Sequence, residues 1–202
     1  RIFAADIAQG FVLLEDFGDA LFAQMLAQSA AQEATLYCAA ADCLAALHQQ
    51  SAAQGLAQAR PAVLAQLVAP AFDWYAAKAS SQNTDSAKTA TVALLEASLR
   101  RHVPHFSVTV LRDFHAENLI WLPDRIGIRR VGLLDFQDAL IGHPAYDLVS
   151  LTRDARRDLG PDIASVTTQH YLSRSCAEPA PFLDAAAVLS VQRNLRVLGV
   201  FV

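Results

Sequence analysis

Between Phe106 and Asp135 the chain changes texture, and that change limits the folds open to it. Three short runs there are rich in β-branched, aromatic and aliphatic residues: Phe106-Ser107-Val108-Thr109-Val110-Leu111, Leu119-Ile120-Trp121-Leu122 and Arg130-Val131-Gly132-Leu133-Leu134. Runs this short and apolar read as strands, and Pro123-Asp124-Arg125 reads as a turn between the last two. On either side, apolar residues recur at helical spacing. Leu21, Phe22, Met25 and Leu26, then Leu36, Ala40, Leu44 and Leu47, fall on one stripe between Ala20 and about Gln50. A second helical region covers Pro61 to about Ala79, with Pro61 suited to a first-turn position. A third carries Val92, Leu94, Leu95 and Leu99 and ends near Arg100-Arg101-His102, and the chain is helical again after Pro144. Residues 80–86 read as a polar loop, residues 2–6 and 11–16 as two short strands about a Gly10 turn, and Asp16-Phe17-Gly18-Asp19 as a turn before the first helix. The expected fold class is mainly α with short β hairpins (α+β): a helical lobe holding a small hairpin and two polar loops.

Composition excludes several classes. Of the 202 residues 53% are hydrophobic, including 39 alanines, which supplies a sizeable core and argues against a disordered chain. No apolar stretch reaches the ~18 residues of a spanning helix, and the longest uncharged run, Cys43 to Ala59, carries four glutamines and a histidine. No membrane partner is expected. A net charge of -4 speaks against a nucleic-acid partner. Cys38, Cys43 and Cys176 are odd in number and lack CxxC spacing, so they read as buried apolar residues of a reduced, cytoplasmic protein. The opening Arg1-Ile2-Phe3-Ala4-Ala5-Asp6 has no basic-then-apolar leader, and the run from Gln192 to Leu198 meets no stop signal before Val202. Both ends read as cuts in a longer chain. The pattern says nothing of oligomeric state.

Residues of catalytic type gather between Asp113 and Asp147. Asp113 and Asn118 lie five apart on a loop between two strands, and Asp135 ends the next strand. A tight polar loop presents its side chains at one edge of a hairpin, so the three can converge on one cleft. Two carboxylates and a carboxamide are hard oxygen ligands, suited to Mg²⁺ rather than zinc. Phosphoryl transfer needs that set: one carboxylate to orient and deprotonate a hydroxyl, an Asn and an Asp to hold Mg²⁺ on the phosphates. Taken alone, Asp-x-x-x-x-Asn is most often a turn and cap device. His115-Ala116-Glu117 matches half of a deaminase-type zinc signature, but the Pro-Cys-x-x-Cys partner it requires is absent.

Leu111-Arg112-Asp113-Phe114-His115-Ala116-Glu117-Asn118 resembles the catalytic loop of the protein-kinase-like superfamily, in its aminoglycoside and choline phosphotransferase branch, where the pattern is roughly His-x-Asp-x-His-x-x-Asn. The stretch from Leu133-Leu134-Asp135-Phe136 through Gly142-His143-Pro144-Ala145-Tyr146-Asp147-Leu148 is similar to that family's second signature, in the right order and at the right separation. The resemblance implies a catalytic base at Asp113, Mg²⁺ ligands at Asn118 and Asp135, ATP as phosphoryl donor, and structural roles for His115 and for Asp147, a buried acid tying the loops together. It places the hinge that meets adenine at Leu14, Glu15 and Asp16. Glu117, Asp138, Trp74 and Arg153 are candidates for contact with a small-molecule sugar substrate. Each has a plainer alternative: solvated carboxylates for Glu117 and Asp138, core packing for Trp74, Tyr75 and Trp121, and ion pairing of Arg153, Arg156 and Arg157 with Asp154 and Asp158 on an exposed helix.

Two positions depart from the family pattern: Leu111 stands where His is usual, removing a hydrogen bond that supports the loop, and Gln137 where protein kinases have Gly. The glycines never form GxG, and neither Lys78 nor Lys88 precedes the hinge, so the phosphate-covering lobe is expected to lie outside this chain. Residues 1–19 then read as the end of that lobe's sheet and the hinge, and residues 20–202 as a helical C-terminal lobe truncated at both ends. The wording of the two signatures, with Arg156-Arg157-Asp158 beyond them, most resembles bacterial kinases that phosphorylate the anomeric hydroxyl of N-acetylmuramate and N-acetylglucosamine. An aminoglycoside kinase and a pseudokinase-like binding module remain the alternatives.

Overall fold

A computed structural model describes residues 1–79 and 83–200. The strands β1 (Ile2–Asp6) and β2 (Phe11–Leu14) form the expected antiparallel hairpin, turning at Gly10 with φ +77°. Every residue of both strands is exposed.

The helical run expected from Ala20 to Gln50 is two helices, α1 (Phe22–Gln28) and α2 (Glu33–His48), separated by a 3₁₀ turn. The reason is a lapse in the stripe: residues 27–32 are all exposed, so nothing there rewards a continuous helix. Along α2 the stripe resumes, and Leu36, Tyr37, Ala40, Ala41 and Leu44 are fully buried. The second expected helix is also broken. The helix α3 (Pro61–Gln66) ends before Pro70, which lacks an N–H and would clash with a preceding carbonyl, and a π-helical turn (Ala71–Ala76) leads into the short α4 (Ala77–Ala79). That turn swings Trp74 and Tyr75 outward, 56% and 48% exposed, so the core alternative for them is overturned while Trp121 is buried. Of the polar loop at 80–86, residues 80–82 lie outside the described residues.

The third helix, α5 (Asp85–His102), ends where expected, although Leu94 points to solvent. After β3 (Val108–Val110), β4 (Leu119–Trp121), β5 (Val131–Leu133) and β6 (Leu140–Gly142), three helices close the fold: α6 (Ala145–Thr152), α7 (Ile163–Arg174) and α8 (Pro179–Val200). Residues 153–162 between α6 and α7 are irregular, not helical, because Gly160-Pro161 breaks the run. Glu33 secures that loop, accepting Arg157 Nη2 at 3.2 Å and Gly160 N at 2.9 Å. One core joins α2, α3, α5, α6 and α8 to β3, β4 and β5. The fold class is the expected one, mostly helix with small antiparallel pairs. All three cysteines are free, but Cys176 is exposed and Cys38 and Cys43 only partly covered, which corrects their reading as buried residues. Among the described residues no helix is long and apolar enough to cross a membrane.

Candidate active site

Strand pairing decides where the two polar loops meet, and it differs from the expected single hairpin. The strands β4 and β5 pair antiparallel, Leu119 opposite Leu133, but β3 pairs with β6, Val110 opposite Leu140. Strand β6 lies inside the second signature. The end of β3 therefore adjoins the start of β6, and the start of β4 adjoins the end of β5. The loop from β3 to β4 (residues 111–118) and the loop from β5 to β6 (residues 134–139) must run side by side.

Asn118 is where they join. Its backbone carbonyl accepts Leu134 N at 3.0 Å, and its side-chain Nδ2 donates to Asp113 O at 2.9 Å and approaches Asp135 Oδ2 at 3.4 Å. Nδ2 also lies 3.5 Å from His115 Nε2. His115 is buried beneath the loop, and burial, reinforced by the nearby Arg156 charge, holds its imidazole below the usual pKa. The Asp113 carboxylate accepts no hydrogen bond among the described residues and is part-exposed at the loop's tip. Asp135 is exposed, with φ +55°, a left-handed conformation that Asp tolerates better than most side chains.

Arg112 also has a positive φ, +71°, which a long side chain adopts only at a cost of about 1–2 kcal/mol. The surrounding hydrogen bonds hold it there. Fully buried Asp147 accepts Leu111 N at 2.7 Å and Arg112 N at 2.9 Å, and Ser150, one turn further along α6, donates Oγ to Arg112 O at 3.0 Å. Burial pushes the Asp147 carboxyl up to about 7, while the two N–H bonds and the Arg193 charge oppose that rise. Leu111 is buried, its side chain packed in the core where the family usually has His.

At the loop's margins Arg156 Nε lies 3.1 Å from Glu117 Oε2, and Nη1 lies 3.1 Å from the buried carboxylate of Asp154. Asp138 pairs with Arg112 Nη1 at 3.4 Å. Both candidate substrate carboxylates are thus engaged by arginines. Trp74 stands exposed on the π-helical turn, and Arg153 lines a groove of about 590 Å³ with residues of the 152–164 segment and α8. No residue of the two polar loops lines that groove among the described residues.

The 14–18 segment is docked on the β4–β5 hairpin. Leu14 ends β2 exposed, Glu15 pairs with Arg125, and Asp16 Oδ1 caps Gly18 N at 2.8 Å. The Arg125 guanidinium lies 5.3 Å from the Phe17 ring centroid. That ring covers Gly132 so closely that a Cβ there would stand 2.8 Å from it, which ties this segment to the strand leading into Asp135.

Sequence reasoning missed Ser150, Arg193 and the Glu117–Arg156 pair. Ser150 was within reach, being three residues after Asp147 on one helical face. Arg193 had a signal as well: it falls four residues after Leu189, on the stripe that α8 buries with Phe182 and Ala185.

A helical lobe with two short antiparallel pairs, whose adjacent loops bring Asp, Asn and Asp together, defines a kinase-like phosphotransferase fold. A solved aminoglycoside-3'-phosphotransferase of type VIII shares it, with TM-score 0.53, 18% identity, and coverage of 82% of this chain and 62% of that one. The profile of the phosphotransferase enzyme family matches residues 1–182, and the chain belongs to that family. Among curated relatives, an N-acetylmuramate/N-acetylglucosamine kinase of Caulobacter vibrioides is 36% identical across 100% of this chain and 58% of its own length. One of the same name from Pseudomonas aeruginosa is 30% identical, with 60% of its length covered. A third, from Neisseria meningitidis, is 28% identical over 62% of its length. This chain spans about three-fifths of the length of those relatives.

Proposed function

We propose that the chain is the base-bearing part of an ATP-dependent kinase, and that the whole protein phosphorylates the anomeric hydroxyl of N-acetylmuramate or N-acetylglucosamine. The observation that carries the reading is the junction at Asn118, where one side-chain amide lies within 3.5 Å of Asp113 O, His115 and Asp135. The acceptor rests on the names of relatives at 36% and 30% identity over the whole chain. Residues 1–19 would be the end of the other lobe's sheet and the hinge, with Leu14, Glu15 and Asp16 beside the adenine.

The donor set fits Mg²⁺. Among the described residues every hydrogen bond of the Asn118 side chain uses Nδ2, which leaves Oδ1 as an acceptor beside the Asp135 carboxylate. One carboxamide and one carboxylate are a typical protein share for this ion, which keeps water and phosphate oxygens as its other ligands. When bound it would neutralise charge on the β- and γ-phosphates. Asp113 orients the sugar hydroxyl and takes its proton at a carboxylate oxygen. The hydroxyl oxygen forms the new P–O bond as the bond to ADP breaks. His115, neutral and buried, and Asn118 hold the loop so that this carboxylate faces the acceptor. ATP as donor and three free thiols suit the cytoplasm.

The test uses the full-length protein with N-acetylmuramate, its 1-O-methyl glycoside and kanamycin side by side. Turnover of the free sugar to an acid-labile 1-phosphate, with none of the blocked glycoside, is the expected result. Efficient phosphorylation of kanamycin or of the glycoside would transfer the assignment to an antibiotic-modifying kinase. Nucleotide binding without any turnover would point to a pseudokinase.

A further inference from the structure

Arg193 is a buried charge that neither the sequence signatures nor the assigned site uses. It lies on α8, 3% exposed, and its Nη1 donates to Arg112 O at 3.2 Å. Ser150 Oγ donates to that same carbonyl from the opposite element, α6. Nε of Arg193 is buried with no hydrogen-bond partner among the described residues. Burying a guanidinium with an unpaired N–H is costly unless its charge is used. Burial, reinforced by the Arg196 charge, pulls the Arg193 guanidinium below its usual pKa, while Tyr146, Asp113 and Asp154 oppose that fall, and Arg193 in turn favours the ionised form of Asp147.

We propose that Arg193 is a positioning residue for the catalytic loop, acting with Ser150 to clamp the carbonyl of Arg112 and so hold the strained peptide that aims Asp113. The backbone of Arg112 is fully occupied by the clamp. Its N–H goes to Asp147, its C=O takes two donors, and its φ of +71° turns the next residue out of the strand direction. Two donors on one carbonyl hold a left-handed peptide that one hydroxyl alone leaves free to rock. Because Arg193 comes from α8 and Ser150 from α6, the loop's geometry depends on how those helices pack. The catalytic consequence rests on the kinase reading above, whereas the clamp itself does not.

The experiment uses the full-length protein with Arg193→Met, Arg193→Lys and Ser150→Ala, followed by amide hydrogen exchange and steady-state kinetics. Arg193→Met is expected to speed exchange at the Leu111 and Arg112 amides about tenfold while leaving α2 unchanged. It should also lower kcat by about tenfold or more with both KM values nearly constant, the signature of a misplaced catalytic group. Arg193→Lys should recover part of both effects. Ser150→Ala should matter less on the Met background than on the wild type, since both donors serve one oxygen. If Arg193→Met fails to fold, Ser150→Ala alone must speed exchange at the same two amides. Unchanged loop exchange, or exchange that rises equally in α2, would overturn the clamp. A wild-type protein that phosphorylates no sugar would overturn the kinase reading, while loop exchange still decides the clamp.

Discussion

Asn118 and Asp135 sit on different loops, yet Asn118 Nδ2 lies 3.4 Å from Asp135 Oδ2 because the backbone beside each is stitched together, Leu134 N donating to Asn118 O at 3.0 Å. The approach is therefore built into the β4–β5 pairing and does not depend on the side chains finding each other. Substituting either side chain should leave the loops in place, and this separates chemical from structural effects.

In the full-length protein, Asp113→Asn should lower kcat by about 10² or more, the usual scale for losing a general base, with Mg-ATP affinity nearly unchanged. Asp135→Ala should instead abolish Mg²⁺-dependent nucleotide binding. Calorimetry and steady-state kinetics on both variants check the division of labour, and intact binding and turnover in both would refute it.

Acid should destabilise the fold through two histidines. Burial lowers His48 and His143 from 6.5 to about 4, and His48 Nδ1 lies 2.8 Å from the Tyr171 hydroxyl. Below pH 6.5 the unfolded chain binds protons that the folded chain refuses, so stability falls as pH drops toward 4. A shift of that size corresponds to about 3 kcal/mol at full effect for one ring. Asp147, raised to about 7, acts in the opposite sense over this range, but the two rings together outweigh it, so thermal melts from pH 7 to 4.5 should show a net decline, and His48→Gln should flatten it.

Glu33→Ala should destabilise by about 3 kcal/mol, because it leaves Arg157 and the Gly160 amide without their buried acceptor. The exposed pair of Glu96 with Arg100 on α5 is the control, and Glu96→Ala should cost less than about 0.5 kcal/mol. Urea midpoints compare the two. Equal effects would mean that the 153–162 loop is not anchored through Glu33.

Gly199→Ala ordinarily stabilises a helix by about 1 kcal/mol. Here the added methyl would stand 2.5 Å from Pro70 C and Cβ, with backbone on the other side of the contact. The expected sign is reversed, a loss of about 1–3 kcal/mol from overpacking. A rise in melting temperature would show that α8 does not pack on the π-helical turn.

The loops were legible because their chemistry is local. Asp113, Asn118 and Asp135 could be singled out from residue type and spacing, and the strands that carry them from short β-rich runs. The breaks in the helices were less legible. Pro70 and Gly160-Pro161 are visible breakers, but the apolar residues around them still fit a helical stripe. The interruption at Ser29 follows from missing burial, which periodicity over a long window averages away.

Sequence by itself determined the helical class, the hairpin at Gly10 and the two polar segments with their acids and amide, because each depends on contacts within a few residues. Only the tertiary structure decided that β3 pairs with β6, that Arg156 reaches Glu117, and that Arg193 from α8 meets Arg112 across a separation of 81 residues. The reason is physical: side-chain periodicity encodes which face is buried, but which element covers that face depends on the packing of the whole core.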